Sequence, residues 1–187
     1  WLEHPQDLEP ARHRHAACLV ITELAENAPT LLFVHIREVF GHLWTAVREA
    51  RLAVREAAAR ALRACLRVVG QREHRLVAQW YDGVYDNAMA VIRSPSPSDA
   101  IHGSLLAMAE LHDSLAARRA RGAAYSELSP QQCAEAYAAV WAVREHRERQ
   151  VRVATITLLP QLVAASPEAF AAGSERLQQT SAHLLSS

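Results

Sequence analysis

Four stretches of the chain share one pattern of apolar and polar positions. At Val54-Arg55-Glu56-Ala57 an apolar residue is followed by arginine, a variable residue and a small one, and a long apolar run begins ("VREAAARALRACLRVVG"). His13-Arg14-His15-Ala16, Ile101-His102-Gly103-Ser104 and Val151-Arg152-Val153-Ala154 open runs of the same kind: "ACLVITELAENAP", "LLAMAELHDSLA" and "TITLLPQLVAASP". The starts at 13, 54, 101 and 151 lie 41, 47 and 50 residues apart. Two-helix HEAT or armadillo units recur at roughly 40–47 residues. At an offset of 138 residues the first and last runs agree further, Leu24 with Leu162, Pro29 with Pro167 and Leu32 with Phe170.

Between these runs, apolar residues spaced by three and four predict partner helices. One covers 29–49, with Leu32, Ile36, Val39, Phe40, Leu43 and Val47; a second covers 79–92, around Trp80, Val84, Ala88 and Val91. The third covers 129–146, through Ala134, Tyr137, Val140, Trp141 and Arg144. Its start, Ser129-Pro130, places a serine at the cap and a proline at the first helical position. Residues 93–99 ("RSPSPSD") and 118–128 ("RRARGAAYSEL") read as links, and a ragged last helix is expected near 174–185. No strand is expected. The fold class is therefore all-α: an α-solenoid of stacked antiparallel helix pairs (HEAT/armadillo-like), one unit over 1–187. A single pair cannot bury its own apolar face, and stacking successive pairs builds a continuous core. The arginine after each short turn is placed to tie adjacent units at their shared edge. The small residue at the fourth place lets helices approach closely.

On a helical wheel Val54, Ala58, Ala61, Leu62, Cys65, Val68 and Val69 share one arc, with Arg60, Arg63 and Arg67 opposite. Half the chain is apolar, aromatics are few and glycines number six, which favours helix packing over sheets. The 20 basic residues, all arginine, balance 20 acidic ones, so the chain as a whole has no footprint for a polyanion. Aromatics are not interleaved with the arginines, as an RNA-binding face would need. The half-alanine apolar arc lacks the bulky anchors of a membrane or calmodulin target. No nucleic acid is expected as partner. Cys18, Cys65 and Cys133 are scattered and odd in number, which reads as buried thiols in a reducing compartment. The longest uncharged run, 153–167, is too short to span a bilayer, and no integral membrane segment is expected. Opening at Trp1 without methionine, the chain reads as part of something longer.

Candidate chemistry is sparse. His13 and His15 point to different helix faces, no HExxH occurs, and the spacing of His102, Glu110, His112 and Asp113 suits a solvated face or loop edge rather than a closed metal site. There is no GxSxG, Gly-rich phosphate loop or GK[ST], so no catalytic, cofactor or metal residue is nominated. Cys133 reads as core. Ser94-Pro95 and Ser96-Pro97 read either as proline-directed phosphorylation sites or as a rigid polar linker.

The runs quoted above, with "EHPQDLE", "ARHRHAA", "IHGSLL" and "LLPQL…PEAF", resemble the N-terminal HEAT-repeat region of the target of rapamycin kinases, in order and over nearly the whole chain. These are Ser/Thr protein kinases of the phosphatidylinositol-3-kinase-related type. The resemblance is weakest over 72–97 and 117–126, where relatives carry longer charged insertions. It implies a scaffold segment of a kinase that controls cell growth in response to nutrients, helping to assemble a dimeric complex with a Raptor-type subunit. No position matches the family's kinase motifs, so ATP and Mg would be bound outside this chain. A cytoplasmic location is implied, with recruitment to endomembranes as part of a complex. The contact surface is then expected on exposed helix faces: Arg60, Arg63 and Arg67, with His42 and Trp44 on the preceding helix. Packing between helices is the competing reading of Trp44. The alternative function is a HEAT-repeat adaptor or transport protein unrelated to a kinase; a free-standing helical enzyme and a nucleic-acid binder are further readings.

Overall fold

The computed structural model describes residues 5–72 and 76–167. Among them are eight helices and no strand: α1 (Pro5–Asn27), α2 (Pro29–Val34), α3 (Ile36–Val47), α4 (Leu52–Arg72), α5 (Val77–Ile92), α6 (Ser98–Ala120), α7 (Pro130–Ala142) and α8 (Arg149–Ala165). The helix expected near 174–185 and the match at Phe170 lie outside the described residues.

The helices form two layers. In one, α1, α4, α6 and α8 lie side by side in that order; in the other, α3, α5 and α7 each pack on the helix that follows. Three antiparallel pairs, α3–α4, α5–α6 and α7–α8, thus stack behind α1, which is the α-solenoid. The four sequence runs are α1, α4, α6 and α8, so the repeated pattern marks a single layer.

Local chemistry sets the helix ends. At α7 the Ser129 hydroxyl accepts from the Gln132 amide at 3.2 Å, and the Gln132 side chain accepts from the Ser129 amide at 2.9 Å, a capping box with Pro130 at the first position. Helix α6 closes with Gly122 at φ 67°, where the Gly122 and Ala123 amides donate to the Arg119 and Arg118 carbonyls. Only glycine takes this conformation without penalty.

Three expected boundaries differ, and the simplest is that the helix expected over 129–146 ends at Ala142, before Arg144. The helix expected over 29–49 is broken at His35 (φ −107°, ψ 12°) and stops at Val47. It stops early because the Glu49 and Ala50 carbonyls turn towards the guanidinium of Arg55. Helix α6 runs through Arg118, which had been placed in a link, because that side chain is buried against α4.

The core follows the layers. Helix α4 is flanked by α1, α3 and α6, so burial extends well beyond the expected arc to Arg55, Ala57, Ala59, Ala64, Leu66 and Gly70. Alanine is what makes this possible, since three neighbours can close on a helix that carries little side-chain volume. The approach is tightest at Gly103 of α6, where a Cβ would sit 1.7 Å from the Val47 carbonyl oxygen at the end of α3. At the two ends of the stack apolar residues remain exposed: Leu19, Val20, Leu31 and Val34 on α1 and α2, Val153 and Ile156 on α8.

Candidate protein-interaction surface

The arginine of the repeated pattern is where the polar chemistry concentrates. Arg55, 1% exposed, sits one turn into α4. Its Nη1 donates to the Glu49 and Ala50 carbonyls at 2.7 Å each and to Asp99 of α6 at 2.6 Å. Its Nη2 donates to Gln150 of α8 at 2.7 Å, and its Nε to Nδ1 of His102 at 3.1 Å. One guanidinium therefore joins the turn before its own helix to the next two helices of the layer. The planar fork is what allows this, because a lysine has no such spread of donors. Arg152, in the same register on α8, donates to the His146 and Arg147 carbonyls at 2.7 Å each, the same turn-closing contact. Arg14 of α1 pairs with Glu49 in the turn that Arg55 closes. On α6 the register position is His102. It accepts from Arg55, so it is neutral and carries its proton on Nε2; burial, then the Arg55 charge, push its pKa down to about 4. The expected solvated setting of His102, Glu110 and His112 is thereby corrected: all three are buried, because α6 lies between α4 and α8.

The other edge of the layer has its own buried arginine. Arg118 of α6, 3% exposed, donates from Nη1 to the Gly70 carbonyl near the end of α4 at 2.7 Å and from Nε to the Tyr125 carbonyl at 2.6 Å. Its guanidinium carbon lies 5.6 Å from the centre of the Tyr81 ring. The Tyr81 hydroxyl reaches the Leu66 carbonyl at 3.2 Å and the Ser114 hydroxyl at 2.7 Å. Tyr125 donates to Asp82 at 2.8 Å.

The nominated surface residues fall in both layers. Arg60 is exposed on α4. Arg63 pairs with Glu110 and, at 3.5 Å, with Asp113, both on α6. Arg67 reaches Glu26 of α1 at 4.0 Å. The arginine strip thus bends sideways towards the two neighbouring helices, leaving Arg60 facing outward. Burial raises the Glu110 pKa, and Arg63 opposes the shift. In the other layer His42 is exposed on α3 and Trp44 is half-buried against the core, with the Arg48 guanidinium 5.9 Å from its ring.

Trp44 also lines a feature that sequence reasoning missed, an open groove of about 230 Å³ between α3 and α5. Phe40 and Trp80 meet in its floor with ring centres 5.0 Å apart and planes tilted by 32°, and Arg37 lies 5.9 Å over Trp80. The signal was an aromatic residue on each of two successive partner helices, and it could be used only once those helices were known to be neighbours. Ser94 and Ser96 lie in the link between α5 and α6.

Among the described residues no group of three or more histidine, cysteine or acidic side chains could hold a metal ion. The three cysteines are free and buried, and burial raises their thiol pKa values, that of Cys65 to about 12. A thiol so raised is a poor nucleophile. No described helix is long and apolar enough to cross a membrane.

Fold and surface together define a helical-repeat protein, an all-α solenoid whose buried polar groups join helix to helix. No protein-family model matches the chain. It is 40% identical over 149 residues to the serine/threonine-protein kinase TOR of Arabidopsis thaliana, covering 80% of this chain and 6% of that protein. It is 38% identical over 170 residues to the serine/threonine-protein kinase tor1 of Schizosaccharomyces pombe, covering 91% and 7%. With the serine/threonine-protein kinase TOR2 of Saccharomyces cerevisiae the identity is 31% over 157 residues, covering 84% and 6%. The chain is a TOR-related segment, homologous to part of the TOR serine/threonine-protein kinases, and it spans 6–7% of the length of these curated relatives.

Proposed function

We propose that the chain is a HEAT-type scaffold segment of a TOR-type serine/threonine kinase, and that it offers its two helix layers to protein partners in the assembled complex. The observation that carries the reading is similarity to TOR kinases along a chain whose Arg55 joins three helices of one layer. A solenoid held rigid in this way keeps distant surfaces in fixed relation, which is what a scaffold requires. The catalytic domain, with ATP and Mg, lies elsewhere in the parent protein, which is cytoplasmic and joins endomembranes as part of its complex. A Raptor-type subunit is the partner. Its contacts draw on His42, Trp44 and the Trp80 groove in one layer, and on Arg60 and the outer parts of Arg63 and Arg67 in the other. An adaptor unrelated to a kinase has no observation in its favour.

The test uses the full-length kinase carrying either His42→Glu with Trp44→Ala, or Arg60→Glu. Co-purification of the Raptor-type subunit and kinase activity on a short peptide are read side by side. The expected result is loss of the subunit from one of the two variants with peptide phosphorylation retained. Unchanged complexes from both variants would overturn the reading.

A further inference from the structure

The link between α5 and α6 carries two Ser-Pro pairs, and the structure treats them differently. The Ser94 hydroxyl donates to the Ala90 carbonyl at 2.5 Å, and the Ser94 amide donates to the Val91 carbonyl at 3.2 Å, so this serine belongs to the end of α5. Among the described residues the Ser96 hydroxyl meets no partner. It lies between two prolines, and Pro97 continues in an extended conformation (φ −56°, ψ 145°). A residue before proline is held out of the helical region, so Ser96, half-buried where Ser94 is exposed, lies in the non-helical backbone that a protein kinase must thread. From the following residue, Pro97, a polar basin opens between the starts of α6 and α8, lined also by Asp99, His102, Arg147 and Gln150. Of the two carboxylates at this basin, Asp99 receives Arg55, whereas Glu148 makes a long 3.9 Å contact with Arg147. Arg147 is 84% exposed, and among the described residues its ion pair is this long contact with its own neighbour.

We propose that Ser96 is the acceptor of a proline-directed protein kinase, and that its phosphate recruits Arg147, tying the start of α6 to the loop before α8. In the transfer the Ser96 oxygen attacks the γ-phosphorus of Mg-ATP. The new O–P bond forms as the bond to ADP breaks, and the hydroxyl proton passes to the kinase's base. The phosphoserine carries a charge of about −1.5 to −2 and three strong acceptor oxygens, which outcompete the single Glu148 carboxylate for a guanidinium. Modification would therefore add a bridge between consecutive pairs on the edge where Arg55 already joins them. This inference is independent of which protein the scaffold binds.

The full-length protein is incubated with a proline-directed kinase and Mg-ATP, and the modified serine is located by peptide mass spectrometry. Phosphate is expected on Ser96, persisting in Ser94→Ala and vanishing in Ser96→Ala. Hydrogen exchange is then followed over 143–149 in both forms. Phosphorylation should slow it several-fold, and Arg147→Gln should remove that protection while leaving phosphate incorporation unchanged. Phosphate placed chiefly on Ser94, no incorporation at all, or exchange that is indifferent to Arg147 would each overturn the proposal.

Discussion

Arg55 and Arg118 are both buried, both join α4 to α6, and lie at opposite edges of one helix layer. Their partners differ. Arg55 meets a carboxylate, an imidazole, a side-chain amide and two carbonyls, drawn from two helices and a turn. Arg118 meets two carbonyls and the face of a tyrosine. A buried charge is tolerated when its donors are satisfied and an opposite charge or aligned dipoles neutralise it. At Arg55 Asp99 supplies that charge. At Arg118 the negative end of the α4 dipole does so, because the Gly70 carbonyl lies in the last turn of that helix. The same residue type thus solves one problem by two routes. The first route recruits α8 as well and joins more of the array.

The comparison can be broken most directly at Arg55. Arg55→Ala removes a fully buried side chain together with its hydrogen bonds to Asp99, His102, Gln150 and two carbonyls, and should cost about 3–5 kcal/mol in chemical unfolding. Arg118→Ala leaves the Gly70 and Tyr125 carbonyls without their donor and is expected to cost less, about 2–3 kcal/mol. Equal losses at the two sites would show that the helix dipole does as much as the carboxylate network.

Acid should act through the α6 histidines. His102 and His112 are both pushed down to about 4, chiefly by burial, so in the folded chain they stay neutral well below the pH at which they protonate when unfolded. Between about pH 6.5 and 4 the unfolded state therefore binds more protons, and stability is complete above this window and falls as pH drops through it. Glu110, whose folded pKa is raised, acts in the opposite sense and offsets part of the loss. The slope of unfolding free energy against pH should flatten by about one proton in His102→Gln. An unchanged slope would mean that His102 does not remain neutral beside Arg55. The smallest effect is expected at Arg67, whose 4.0 Å contact with Glu26 joins two side chains that are both about half exposed. Arg67→Ala should cost about 1 kcal/mol or less and respond to added salt, as the buried arginines should not.

Much of this architecture is legible in the sequence. The recurrence at Val54, Ile101 and Val151 marks α4, α6 and α8, and the arginine after each turn was expected to join neighbouring units, which Arg55 does. The Ser129-Pro130 start of α7 was equally plain, because a capping box needs only residues three apart. Less legible was which charges are buried. The run "RRARG" reads as part of a link, yet its first residue, Arg118, is buried by the placement of Gly70 and Tyr125, 48 and 7 residues away. The helical wheel of α4 showed one apolar arc and could not show that three neighbours close around it. The groove at Trp44 and Trp80 was missed for the same reason, since it belongs to two helices and to neither alone.

The sequence by itself determined the helices, their pairing order and the residue that ties them, since each follows from spacing within a few turns of chain. Tertiary structure alone decided which polar groups leave water: the partners of Arg55 lie up to 95 residues away, the exposure of Arg118 depends on how α4 ends, and His102 is neutral because it is buried and, further, because α4 places a guanidinium against it. Desolvation and long-range charge are properties of neighbours in space, and a one-dimensional pattern carries no measure of them.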